Sequence, residues 1–125
     1  MPYQHRWINK GLYLHNYGIL TTGELIKEQQ ETYNNPKIDD IKYIIFDALN
    51  VDQFLINHHD VEHLAAVDEG ASSYLKHIKM ALVADDEQIN KFFEQYIAIA
   101  RYLESPWKFK IFSTSREAEE WCCQA

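Results

Sequence analysis

Ile41-Lys42-Tyr43-Ile44-Ile45-Phe46-Asp47 is the stretch that decides how this chain folds. Ile41–Phe46 is an apolar run broken by Lys42 and ended by Asp47. A run of that length and content reads as a central strand with both faces covered. Ile78–Ala84 reads as a second buried strand. Between them, roughly His59–His77 carries Val61, Leu64, Ala65, Ala71 and Leu75 at helical spacing. Gly70 is a weak point or a break in that helix, since glycine costs about 1 kcal/mol against alanine there. A strand, a helix and a second strand imply parallel pairing through a right-handed crossover.

The same pattern extends in both directions. Upstream, about His5–Ile8 and about Leu12–Tyr17 are strands separated by the turn signal Asn9-Lys10-Gly11. In the second, Leu12, Leu14 and Asn16 alternate with Tyr13, His15 and Tyr17, which suits a strand with one face in the core. Thr21-Thr22-Gly23-Glu24 is a capping box. The helix it opens turns Leu25, Ile26, Gln29, Gln30 and Tyr33 to one side and stops at Asn34-Asn35-Pro36. Downstream, Asp85-Asp86-Glu87 places acids at a helix start. Ile89, Phe92, Phe93, Tyr96, Ile97, Ala100 and Leu103 follow the 3.6 period until Ser105-Pro106. Phe109–Phe112 is a last short strand, and Thr114-Ser115-Arg116-Glu117 caps a terminal helix with Ala118, Trp121 and Cys122 inward. The order β-β-α-β-α-β-α-β-α predicts an α/β domain spanning 1–125. Its single, mostly parallel mixed sheet has about five strands, with an opening antiparallel hairpin at one edge.

Composition narrows the function. Of 125 residues 46% are apolar and 14% aromatic, enough for a core without staples. The net charge is −7, and residues 21–70 hold eleven acids against three bases. No basic face exists to neutralise phosphates, so nucleic acid is excluded as a partner and an anionic membrane is disfavoured. The cysteines are the adjacent pair Cys122 and Cys123, which lacks C-x-x-C spacing. Met1–Arg6 has no apolar signal core, and no apolar run reaches bilayer length. A reducing, cytoplasmic setting is expected.

Three stretches carry a family likeness. Tyr17-Gly18-Ile19-Leu20-Thr21-Thr22-Gly23-Glu24-Leu25, Ile41–Asp47 and Lys110–Phe112 with Ser113–Trp121 resemble the SpoIIAA-like branch of the STAS domains, bacterial regulatory modules. The likeness covers about residues 11–123. It implies a non-catalytic module that binds a partner and needs no cofactor. Antagonists of anti-sigma factors in that family carry a phosphorylatable serine after the central strand. Here that place falls near Leu55-Ile56-Asn57-His58-His59, and no serine or threonine lies between Asp47 and Ser72. The phosphoswitch, which adds charge and acceptor oxygens at a helix start, does not carry over.

Other strings bear on chemistry. His59-Asp60-Val61-Glu62-His63 spells H-x-x-E-H, and on a helix His59 and His63 would share one face, with Glu62 as a general base beside a metal. No third ligand stands out, and a solvated helix start is the plainer reading of His58, His59 and His63. Asp47, Asn50, Asp52 and Asp60 gather near the end of the central strand, as in a cation pocket or simply as loop caps. Phosphate-cradling and nucleophile-elbow strings are absent. Tyr102 lies off the third helix's stripe and Trp107 follows a proline; exposed together, they would form an apolar patch.

The expectation is therefore a regulatory or binding module without catalysis. Its surface would comprise Leu55, Ile56, Asn57, His58 and His59, with the third helix, Tyr102 and Trp107 as the other wall. It would bind a protein partner or a small apolar ligand. The rivals are a peripheral lipid-binding protein and a small metal-dependent enzyme using His59, Glu62 and His63.

Overall fold

The computed structural model describes residues 3–124. Its elements are β1 (Tyr3–Ile8), β2 (Gly11–Thr21), α1 (Thr22–Asn34), β3 (Tyr43–Leu55), α2 (Val61–Ser72), β4 (Lys79–Val83), α3 (Glu87–Tyr102), β5 (Lys108–Phe112) and α4 (Ser115–Cys122). Short 3₁₀ turns, Pro36–Asp40 and His58–Asp60, precede β3 and α2. The five strands form one sheet in sequential order. β1 runs antiparallel to β2, and every other pairing is parallel. The expected α/β order and edge hairpin are both present.

Sequential parallel crossovers of one hand return to the same face of the sheet. Leu12, Leu14, Ile44, Met80 and Leu82 accordingly pack under residues of α1, α2 and α3. The alternate residues Tyr13, Ile45, Ala81 and Val83 meet Ala118 and Cys122 of α4 on the opposite face. β2 is thus covered on both faces over Leu12–Leu14, where its alternation had suggested only one. Gly11 is required by close approach: a Cβ there would fall 1.9 Å from the Tyr43 ring.

Several boundaries differ from expectation. β3 does not end at Phe46 but runs through Asp47 to Leu55, because β2 also continues and pairs Tyr17–Thr21 with Asn50–Leu55. Two register shifts interrupt that pairing, and Gly18, with φ of 70°, stands at the second. α2 covers Val61–Ser72, not His59–His77. Gly70 lies within it. The helix ends where the Ser72 and Ser73 hydroxyls donate back to the carbonyls of Glu69 and Gly70. α3 keeps its stripe through Ala100, but Leu103 is its C-cap and is exposed. The N-caps at Thr21 and Thr114 are as expected, accepting from the amides of Glu24 and Glu117, and Asp86, expected only as an acid at a helix start, also caps α3 by accepting from Ile89.

Candidate functional site

The capping of α1 at Thr21 fixes which of its residues meet the sheet. Leu25, Glu28 and Thr32 are buried, Gln29 and Tyr33 are half-buried, and Gln30 is exposed. The inward face is therefore rotated from the stripe expected, and it brings a carboxyl, an amide and a hydroxyl under the helix layer. α2 contributes Leu64 and Asp68 one turn apart. α3 contributes Phe92, Phe93 and Tyr96. With a floor of Leu14, Ile44, Phe46, Met80 and Leu82, these residues line a cavity of about 70 Å³.

Asp68 joins the three helices. Its Oδ1 accepts from the Tyr33 hydroxyl and, at 3.2 Å, from Gln29 Nε2, while its Oδ2 accepts from the Tyr96 hydroxyl. Gln29 Nε2 also donates to the Leu64 carbonyl at 2.8 Å. Burial raises the Asp68 carboxyl above its ordinary value, and the three donors act against that rise. Burial and the Asp68 charge hold Tyr33 and Tyr96 far above the ordinary phenol value. Glu28 is 2% exposed. Burial first, then the charges of Asp68 and Glu31, push its carboxyl up to about 8, against a smaller opposing pull from Asn16. It is therefore protonated at neutral pH. Glu28 Oε2, Gln29 Oε1 and Thr32 Oγ1 have no hydrogen-bond partner, although all three residues line the cavity.

The expected surface residues are brought together only in part. Leu55 is exposed and Ile56 half-buried at the end of β3. Asn57 Oδ1 accepts from the His59 amide, and the Asn57 amide donates to Thr22 Oγ1 at 3.3 Å. His58 Nδ1 lies 3.0 Å from Gln95 Oε1 on α3. Tyr102 is 86% exposed but sits at the far end of α3, by the amino ends of the strands. Trp107 is 5% exposed, and its indole Nε1 donates to the Leu75 carbonyl. It is a core residue, so the expected Tyr102–Trp107 patch does not form. Proline and a loop position suggested exposure; a non-local hydrogen bond draws the ring in.

The rival metal reading gains no support. His59 lies in the 3₁₀ turn and α2 begins at Val61, so His59 and His63 do not share an α-helical face. Among the described residues no cluster of three histidines, cysteines or acids is placed to hold a metal. The acids near β3 also separate. Asp47 is buried on the α4 side, where the Tyr13 hydroxyl donates to it and His15 Nδ1 stands 3.9 Å away. Asp60 instead precedes α2, in the opposite layer. Cys122 is a buried free thiol pushed up to about 12 by burial, whereas Cys123 is exposed.

The strand order, the single opposing helix and the β3–α2 connection recur in solved structures. The phosphorylated form of the Bacillus cell-fate determinant SpoIIAA aligns with a TM-score of 0.63 at 11% identity, over 95% of this chain and 97% of that one. The fold is that of SpoIIAA. The unphosphorylated anti-sigma factor antagonist SpoIIAA matches with the same TM-score and identity, over 95% and 94% of the two chains. An uncharacterised DUF3478 protein with a SpoIIAA-like fold, from Shewanella loihica PV-4, matches at 0.55 and 19% identity, over 97% and 92%. No protein-family model matches this chain, and no curated protein does. In this SpoIIAA-like chain the connection from β3 to α2, Ile56–Asp60, contains no hydroxyl side chain. No helix among the described residues is long and apolar enough to cross a membrane.

Proposed function

We propose that this chain is a non-catalytic regulatory module that binds a small, largely apolar ligand beneath α1, α2 and α3. The observation that carries the reading is the cavity itself. Its walls are mainly Leu, Ile, Met and Phe side chains, with a few convergent polar groups at one side, the usual make-up of a ligand pocket. A protein partner would meet the exposed corner at Leu55, Asn57, His58 and His59. This second surface is supported by exposed Ile19 and Leu55, which stand on one face where β2 and β3 extend beyond the rest of the sheet.

Short-chain alcohols and xenon probe the cavity directly. Saturable chemical-shift changes at Leu64, Tyr33 and Tyr96, lost in Leu64→Phe with the circular dichroism unchanged, are the expected result. Shifts that persist in Leu64→Phe, or no shift at millimolar probe, would remove the reading.

A further inference from the structure

The polar end of the cavity is short of donors. Glu28 Oε2, Gln29 Oε1 and Thr32 Oγ1 are oxygens without partners on one stretch of α1, and the buried Asn16 Oδ1, beside Glu28, also has none. Of the donors nearby, the Tyr33 and Tyr96 hydroxyls and Gln29 Nε2 point to Asp68, which leaves the Thr32 hydroxyl and, while Glu28 holds its proton, the Glu28 carboxyl, fewer than the acceptor positions around them. Glu28 and Thr32 are 2% and 3% exposed, so bulk water does not satisfy them. Unmatched buried acceptors are costly, and each calls for a donor. A primary ammonium offers three donors and no acceptor. It would also offset the charge that Glu28 takes on when it ionises beside Asp68, since no cationic side chain is among the residues lining the cavity.

We propose that the cavity is a site for a short primary alkylamine, bound as its ammonium ion between Glu28, Gln29 and Thr32 with its alkyl chain against Leu25, Phe92 and Leu64. This deepens the ligand-binding reading above and rests on it. A volume of about 70 Å³ has room for roughly two groups of water size, so methylammonium fits as the cavity stands and each further carbon requires the Leu25, Leu64 and Phe92 side chains to give way.

Binding an ammonium ion requires the Glu28 carboxylate, so it expels the Glu28 proton. Glu28 is faced by Tyr3 of β1, Asn16 of β2, Asp68 of α2 and Glu31 of its own helix, and Tyr96 of α3 faces Asp68. Of these groups Glu28 has its midpoint near 8. Affinity should therefore rise about 50-fold from pH 6 to pH 8 and then level off.

The test is titration of the intact chain with propylammonium, 1-propanol and propionate, followed by NMR at pH 6, 7 and 8. The expected result is pH-dependent binding of propylammonium, weaker binding of propanol without pH dependence, and no binding of propionate. In Glu28→Gln, which mimics the protonated side chain and should fold, propylammonium affinity at pH 8 should fall at least tenfold while propanol binding stays. Propanol binding equal to or tighter than propylammonium at pH 8, or an unchanged Glu28→Gln, overturns the amine assignment and leaves the apolar pocket standing. Failure of all three probes overturns both.

Discussion

Glu28→Gln also has a consequence for stability that needs no ligand. The folded carboxyl titrates near 8, whereas an unfolded one titrates near its ordinary 4.5. Below 4.5 both states are protonated and Glu28 exacts no penalty. As the pH rises past 4.5 the unfolded carboxyl ionises and the folded one does not, so the folded state holds the extra proton and stability falls. Above about 8 the folded group ionises too and the loss levels off. At about 1.4 kcal/mol per pH unit, the loss between pH 5 and pH 8 is about 3–4 kcal/mol. Glu28→Gln keeps the shape of the protonated side chain and cannot ionise. It should match the parent at pH 5 to within about 1 kcal/mol and exceed its stability by about 3–4 kcal/mol at pH 8. Burial lowers His5, which tilts both curves alike and cancels in the difference, whereas the repulsion between Glu28 and Asp68 is present in the parent alone and is part of the gain of Glu28→Gln. Urea unfolding followed by circular dichroism at pH 5, 6, 7 and 8 measures it. Parent and variant curves running parallel across that range would refute the buried, protonated Glu28.

Asp68→Ala strands two tyrosine hydroxyls and leaves the Gln29 amide with the Leu64 carbonyl alone, and should lower unfolding stability by about 2–3 kcal/mol; a loss below 1 kcal/mol in urea titration would contradict its role in joining the helices. Trp107→Phe leaves the Leu75 carbonyl unpaired, and a drop of about 1–2 kcal/mol in the same assay is expected, against none if the indole were a surface group. Thr22→Val removes the acceptor for the Asn57 amide, which should exchange its hydrogen several-fold faster while the amides of α2 are unchanged. Zinc added to tag-free protein should leave the melting temperature within about 1 °C, since binding to the folded state alone would raise it.

How far the sequence carries depends on the reach of the interactions involved. The caps at Thr21, Asp86 and Thr114, the stripe of α3 and the two buried runs are local patterns, and each is found where its residues imply. The extension of β3 is not local. Asn50–Leu55 is a strand because β2 continues past its bulges to pair with it, and nothing within Asn-Val-Asp-Gln-Phe-Leu announces that partner. Trp107 is similar: its place is set by a carbonyl 32 residues earlier in the chain. The cavity was missed for a third reason. Leu25, Glu28, Gln29 and Thr32 follow helical spacing as well as any apolar stripe, but a glutamate is ordinarily read as outward because its charge belongs in water. Protonation removes that objection.

α1 is the element that links the cavity to the surface. Through Glu28, Gln29 and Tyr33 it carries much of the polar lining, and through Thr22 it holds the backbone of Asn57 at the start of the exposed corner. A ligand that ionised Glu28 would change the charge facing Asp68, which accepts from side chains of both α1 and α3. Close packing does not let such a change dissipate within the layer; the helices must either hold their arrangement or shift together. If an ammonium ion binds as proposed, the Glu28 charge would depend on occupancy, and any shift of α1 would reach Asn57 through Thr22.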